Sequence, residues 1–338
     1  MQAREGDNLS KPWSDQPSEF ELIATYFKDL TGQQGVALGI GDDGALINPS
    51  PDTQLVMASD TLVEAVHFPA NASGEQIATR ALCVNLSDMA AMGATPKWFT
   101  LALTMPKHLA NDRWLKSFSS GLADVAKEFD IALVGGDTTL GPLTVGITLL
   151  GEVPVGEALR RDSALVGDAI YVTGTLADGA AALNMLKANV NKVTEDSERL
   201  LARFYRPQPQ IEVGIALRKV ASACIDISDG LIADLGHICQ ASGVKANLVA
   251  QWLPIHRQLM EASAADYLNW ALTGGDEYQL CFTLSANNKI IVDQWIAEGK
   301  LMATMIGQIT QADNSDKLVT VDQQPVEDSI GGFDHFSN

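Results

Sequence analysis

Cationic residues are scarce in this chain: 23 Lys and Arg stand against 42 Asp and Glu in 338 residues, a formal charge of -19. That balance disfavours nonspecific attraction to nucleic acid or to an anionic membrane, although part of the excess reads equally well as solvated surface. Cysteine is also sparse. Cys83, Cys224, Cys239 and Cys281 lie far apart, without the close pairs of a zinc site, so a reducing cytoplasm is the default expectation and each thiol reads as a small core residue. Long apolar runs are missing. No stretch reaches the length of a membrane span, and the first seventeen residues, polar and carrying Lys11, Pro12 and Pro17, read as a frayed extension and not a signal peptide. Two phosphate-handling signatures are absent as well: the Gly-rich loop ending in Gly-Lys-Ser or Gly-Lys-Thr, and the Gly-rich loop, catalytic-loop Asp and Asp-Phe-Gly of protein kinases.

What the chain does carry is acidic, glycine-marked and present twice. Asn85-Leu86-Ser87-Asp88 precedes Gly135-Gly136-Asp137-Thr138, and Asp226-Ile227-Ser228-Asp229 precedes Gly274-Gly275-Asp276-Glu277. The separations are 49 residues (137 minus 88) and 47 (276 minus 229), which reads as an internal duplication. Asp42-Asp43, within Gly39-Ile40-Gly41-Asp42-Asp43-Gly44, and Asp60, after Ser59, come before the first copy. Carboxylates in loops beside glycines point to divalent-metal and phosphate chemistry.

A chain of this length suits two domains, and its strands and helices mix without the regular alternation of a doubly wound dinucleotide fold. The expectation is an α+β fold with an extension at 1–17 and domains at 18–150 and 151–338, joined where glycines and Pro154 interrupt the pattern at 151–167. A Ser73–Gln76 capping box predicts a helix over 77–92. Another helix spans 112–129, where Trp114, Phe118, Leu122, Val125 and Phe129 form a packing stripe. Strands are expected at 55–58, delivering Asp60 at its exit, at 131–134, delivering Asp137, and at 143–150. The second half reads as strands at 169–173, 223–227 and 278–284 with helices at 177–187, 211–219 and 231–241.

Magnesium requires oxygen ligands in near-octahedral geometry and commonly bridges carboxylates to substrate phosphates. Asp43, Asp60, Asp88, Asp137, Asp226 and Asp229 supply that ligand type from separate segments. Gathered together they would repel one another unless cations or protons neutralised them. Taken singly, each reads as readily as a helix cap or turn closer; the near-equal spacing of the two copies favours a set. Backbone N–H groups at Gly135, Gly136, Gly274 and Gly275 are candidate phosphate donors. Arg161, at the junction, reads either as a phosphate clamp or as one half of an interdomain ion pair.

These stretches, in this order, resemble the thiamine-monophosphate kinase family. The resemblance rests on Leu38-Gly39-Ile40-Gly41-Asp42-Asp43, Ser59-Asp60-Thr61-Leu62-Val63, His67-Phe68, the long run from Val84 to Ala94 with Pro96, Gly135-Gly136-Asp137-Thr138-Thr139, Ile225 to Leu231, and Gly332-Phe333-Asp334-His335-Phe336. It implies a homodimer whose subunits have two mixed-sheet domains like those of aminoimidazole ribonucleotide synthetase. It also implies ATP- and Mg2+-dependent conversion of thiamine monophosphate to thiamine diphosphate. By the same resemblance Asp43, Ser59, Asp60, Asp88, Asp137, Asp226 and Asp229 would hold several Mg2+ ions, and Gly136, Asp137, Arg161 and Ser228 would contact ATP. His67 and Phe333 would contact thiamine monophosphate, and Asp88, Asp137 and Arg161 would carry the catalytic charge. The family usually reads Gly-Gly-Glu-Asp-Tyr where this chain has Gly274-Gly275-Asp276-Glu277-Tyr278. The substrate contact of the Glu therefore falls to Asp276, one methylene shorter.

Overall fold

The computed structural model describes residues 19–30, 35–188, 195–313 and 317–326. The expected extension at 1–17 and Phe333 lie outside the described residues. The first half runs α1 (Glu19–Tyr26), β1 (Val36–Leu38), β2 (Leu46–Ile47), β3 (Thr53–Val63), α2 (Gly74–Ala91), β4 (Thr95–Met105), α3 (Asp112–Glu128), β5 (Ala132–Leu140) and β6 (Thr144–Pro154). The second runs β7 (Ala169–Thr173), α4 (Asp178–Lys187), α5 (Glu195–Tyr205), α6 (Ile211–Leu217), β8 (Ala223–Asp226), α7 (Leu231–Ser242) and β9 (Lys245–Leu248). It closes with α8 (Arg257–Ala262), α9 (Tyr267–Thr273), β10 (Leu280–Leu284), α10 (Ala286–Ala297), β11 (Ala303–Thr310), β12 (Val319–Val321) and β13 (Gln324–Pro325).

Two mixed sheets carry these elements. The four-stranded sheet has the order β3-β6-β4-β5, antiparallel except for β4 with β5. The seven-stranded sheet has the order β13-β12-β9-β11-β7-β10-β8, with β12 parallel to β9. Helix α2 stands between them and packs on α3, α6, β3, β6 and β8. Its start is the Ser73–Gln76 capping box, with both reciprocal hydrogen bonds formed. It is buried nearly all round, as a helix inside a core must be. Gly214 of α6 lets that helix lie against it, because a Cβ there would stand 2.0 Å from the Ala90 carbonyl oxygen.

Several expectations need correction. Strand β3 is far longer than 55–58, because its whole length pairs with β6, so Ser59 and Asp60 sit inside a strand and not at its exit. Gly135-Gly136-Asp137 likewise lies within edge strand β5, not in a loop. Gly136 has φ +151, and a Cβ there would come within 1.9 Å of the Leu101 carbonyl oxygen, so only glycine lets β5 run this close to β4. The expected break at 150/151 falls inside β6, whose ladder with β3 continues to Pro154. The two copies of the motif also differ locally. Asp88 is in α2 whereas Asp229 is in the loop before α7, and the second Gly-Gly-Asp is in the coil between α9 and β10.

Candidate active site

A cavity of about 750 Å3 opens between the two sheets. Its lining includes Ser59 and Asp60 from β3, His67 from the turn after it, Asp88 from α2, Asp226 from the end of β8, Ser228 and Asp229 from the next loop, and Asp276. Asp43, Gly136 and Asp137 line a different cavity, of about 610 Å3, with Gly41, Gly44 and Gly135. Asp60 and Asp137 belong to opposite edge strands of a four-stranded sheet, three steps of roughly 4.8 Å apart. One ion cannot bridge both within this chain. The six expected carboxylates therefore divide four and two.

Local contacts hold the four in place. Asn85, fully buried, donates through Nδ2 to the Ala81 carbonyl and accepts the Asp60 backbone N–H at 3.1 Å, tying β3 to α2. Ser87 Oγ donates to Asp226 Oδ2 at 2.7 Å, tying α2 to β8. Asp234, in the first turn of α7, accepts the backbone N–H groups of Ser228, Asp229 and Gly230 through one oxygen at 3.0–3.1 Å. That carboxylate shapes the Ser228–Gly230 loop. Burial and then the charges of Asp226 and Asp229 push its pKa up to about 7.

The cluster is electrostatically expensive without a cation. Burial lifts Asp88 to about 8, with the charges of Asp226 and Asp60 acting in the same direction and Arg161 against them. Burial also raises Asp60, followed by the charges of Asp226 and Asp229, and raises Asp226, where the Ser87 hydrogen bond and the Arg161 charge oppose it. The Asp60 and Asp88 carboxyls are close enough to influence each other's protonation, and a proton shared between them would relieve the repulsion. Arg161 is exposed on the segment joining β6 to β7, and its field reaches both Asp88 and Asp226. Among the described residues no three Asp, Glu, His or Cys side chains already close on one point as a metal cage. The donor set nevertheless fits a hard divalent ion, which takes oxygen ligands and would displace such a proton.

His67 Nδ1 accepts the Val63 backbone N–H at 2.9 Å, so the neutral ring carries its proton on Nε2. Asp276 is not a bare carboxylate. Its Oδ1 accepts Arg80 Nη2 at 2.5 Å and the Tyr278 hydroxyl at 3.2 Å, and Oδ2 makes no hydrogen bond among the described residues. Neighbouring Glu277 turns inward and is 1 % exposed, accepting the Gly179 N–H at 3.1 Å. Arg80, Asn85 and Asp234 were missed as site residues. A charged residue inside the run Ile77-Ala78-Thr79-Arg80-Ala81-Leu82-Cys83 was the available signal for the first.

Comparison with known proteins agrees along the chain. The family model described as AIR synthase related protein, N-terminal domain, matches residues 41–153, and its C-terminal domain counterpart matches 166–318. The Thiamine-monophosphate kinase of Escherichia coli (strain K12) is 44% identical over 322 residues, covering 94% of this chain and 98% of its own. The crystal structure of Thiamine-monophosphate kinase from Stenotrophomonas maltophilia K279a superposes with a TM-score of 0.80 at 43% identity, over 87% of this chain and 93% of that one. AaThiL complexed with AMPPCP and TMP superposes with a TM-score of 0.77 at 31% identity, over 94% and 97%. With identity and fold shared over almost the full length, the chain belongs to the thiamine-monophosphate kinase family.

Proposed function

We infer that this chain transfers the γ-phosphoryl group of ATP to thiamine monophosphate, giving thiamine diphosphate and ADP, with Mg2+. The observation that carries the reading is the gathering of Asp60, Asp88, Asp226 and Asp229 in one cavity beside His67 and Asp276, in a chain of this family. Asp43, Ser59 and Asp137 complete the proposed ligand set. Bound Mg2+ supplies the positive charge that two repelling phosphates need and that this acidic chain largely lacks.

The chain's own groups bind and orient. A phosphate monoester has its second pKa near about 6, so the attacking oxygen of thiamine monophosphate is already largely ionised at neutral pH. No general base is required. That oxygen attacks the γ-phosphorus in line while the bond to the bridging oxygen of ADP breaks. Gly136 and Ser228 contact the nucleotide, and exposed Arg161 adds a cation next to the acidic cluster. His67 Nε2–H and Asp276 Oδ2 face the acceptor, with Phe333 assigned to it by resemblance. Asp88, Asp137 and Arg161 form the proposed catalytic charge set.

A homodimer is part of the same proposal. Leu55 and Met57 of edge strand β3 and Leu140 of edge strand β5 are exposed, Met57 to 72% and Leu140 to 73%, the kind of edge a second copy protects. Sedimentation equilibrium should give twice the chain mass; a fully active monomer at every concentration sinks this part. A cytoplasmic location is part of the same proposal, supported by four cysteines that are all free and buried; no helix among the described residues is long and apolar enough to cross a membrane. Purified protein with ATP, Mg2+ and thiamine monophosphate should yield thiamine diphosphate and ADP in equal amounts. Preference for free thiamine or an aminoimidazole precursor would overturn the assignment.

A further inference from the structure

We propose that Arg80 is a positioning residue for the acceptor half of the site: its buried guanidinium sets the His67 turn and the Asp276 loop against each other. The inference rests on the function proposed above. Arg80 is 2 % exposed, and desolvating a guanidinium so fully is tolerated only where its donors are matched. Nε donates to the His67 carbonyl at 3.0 Å, Nη1 to the Phe204 carbonyl at 2.7 Å, and Nη2 to Asp276 Oδ1 at 2.5 Å. The Phe204 ring lies 4.0 Å from the guanidinium carbon, adding a cation–π contact. The partners are 13, 124 and 196 residues away in sequence. One side chain thus joins the turn after β3, the end of α5 and the loop before β10.

The loop requires such a hold. Asp276 and Tyr278 have φ of +64° and +50°, a conformation that non-glycine residues keep only where their surroundings over-determine it. Arg80 and the Tyr278 hydroxyl both engage Asp276 Oδ1, which leaves Oδ2 aimed by that pair of contacts. The same guanidinium holds the carbonyl of His67, the other acceptor-side residue. Lysine keeps the charge but not the planar fork, so it cannot satisfy three diverging partners at once.

Arg80→Lys, Asp276→Asn and the double variant should be compared with wild type by steady-state kinetics, varying thiamine monophosphate and ATP separately. Arg80→Lys is expected to raise KM for thiamine monophosphate at least tenfold and leave KM for ATP within twofold. The double variant should lose clearly less than the product of the two single effects, because the two changes share the Asp276 carboxylate. An unchanged KM for thiamine monophosphate, a parallel rise in both KM values, or single effects that multiply independently would overturn the inference. Should Arg80→Lys fail to fold, Tyr278→Phe decides: it removes the second hold on Oδ1, so a severalfold rise in the same KM supports the inference and no change defeats it. A wild type that leaves thiamine monophosphate untouched would instead refute the proposed function.

Discussion

Replacing Asp88 by Asn should make the metal-free protein more stable at alkaline pH while nearly abolishing turnover. Burial and neighbouring carboxylates lift Asp88 to about 8, against roughly 3.9 in the unfolded chain. Because the folded value is the higher one, its contribution to stability is fully present below about pH 4 and is lost as pH rises through about 8. Asp60 and Asp226 shift in the same direction. Four units at about 1.4 kcal/mol each cap the contribution of Asp88 at about 6 kcal/mol. Asn has the shape of the protonated carboxyl, can still donate to Asp60, and removes one charge from the cluster, so a gain of about 2 kcal/mol at pH 8.5 is expected. For a chain of this size that is about 3 °C in Tm. At about pH 3.5 the two proteins should melt together, since Asp88 is then protonated in both the folded and the unfolded chain. Added Mg2+ should raise the wild-type Tm at pH 8.5 and raise the variant far less, and turnover should fall about a hundredfold. Differential scanning fluorimetry across pH, with and without MgCl2, reads the stability arm. A metal-free variant less stable than wild type at pH 8.5, or one with the full Mg2+ shift, would refute the reasoning.

Glu277→Gln should be nearly silent at about pH 4, where the carboxyl is protonated folded and unfolded alike, and increasingly stabilising as pH rises toward about 8. Burial lifts this carboxyl to about 8 despite the opposing charge of Arg203, and Oε2 has no hydrogen-bond partner among the described residues. Below that value the residue is neutral and Gln matches its shape; urea unfolding that shows a loss of more than about 3 kcal/mol at pH 6 would mean that an ionised Glu277 is essential. Gly136→Ala should cost more than about 2 kcal/mol, by clash and backbone strain. Gly135→Ala should be tolerated, since its nearest new contact is Thr100 Cγ2 at 3.9 Å. Equal urea midpoints for the two would contradict the close approach of β5 to β4.

The sequence alone determined the features set by short-range interactions. The capping box starts α2 because Ser73 and Gln76 are three residues apart, and the apolar stripe of α3 needs only helical spacing. The motif order likewise suffices to identify the family. Only the tertiary structure decided that Asp60 and Asp137 lie within strands at opposite edges of one sheet, since strand length there depends on the β6 ladder and on glycines tolerated against β4. It also decided which carboxylates meet. The pairing of Arg80 with Asp276 spans 196 residues, and the lifted Asp88 owes its state first to burial. Desolvation and charge–charge distance are properties of the packed chain, not of any sequence window, so the division of the acidic set between two cavities and the hold on Asp276 could come only from the fold.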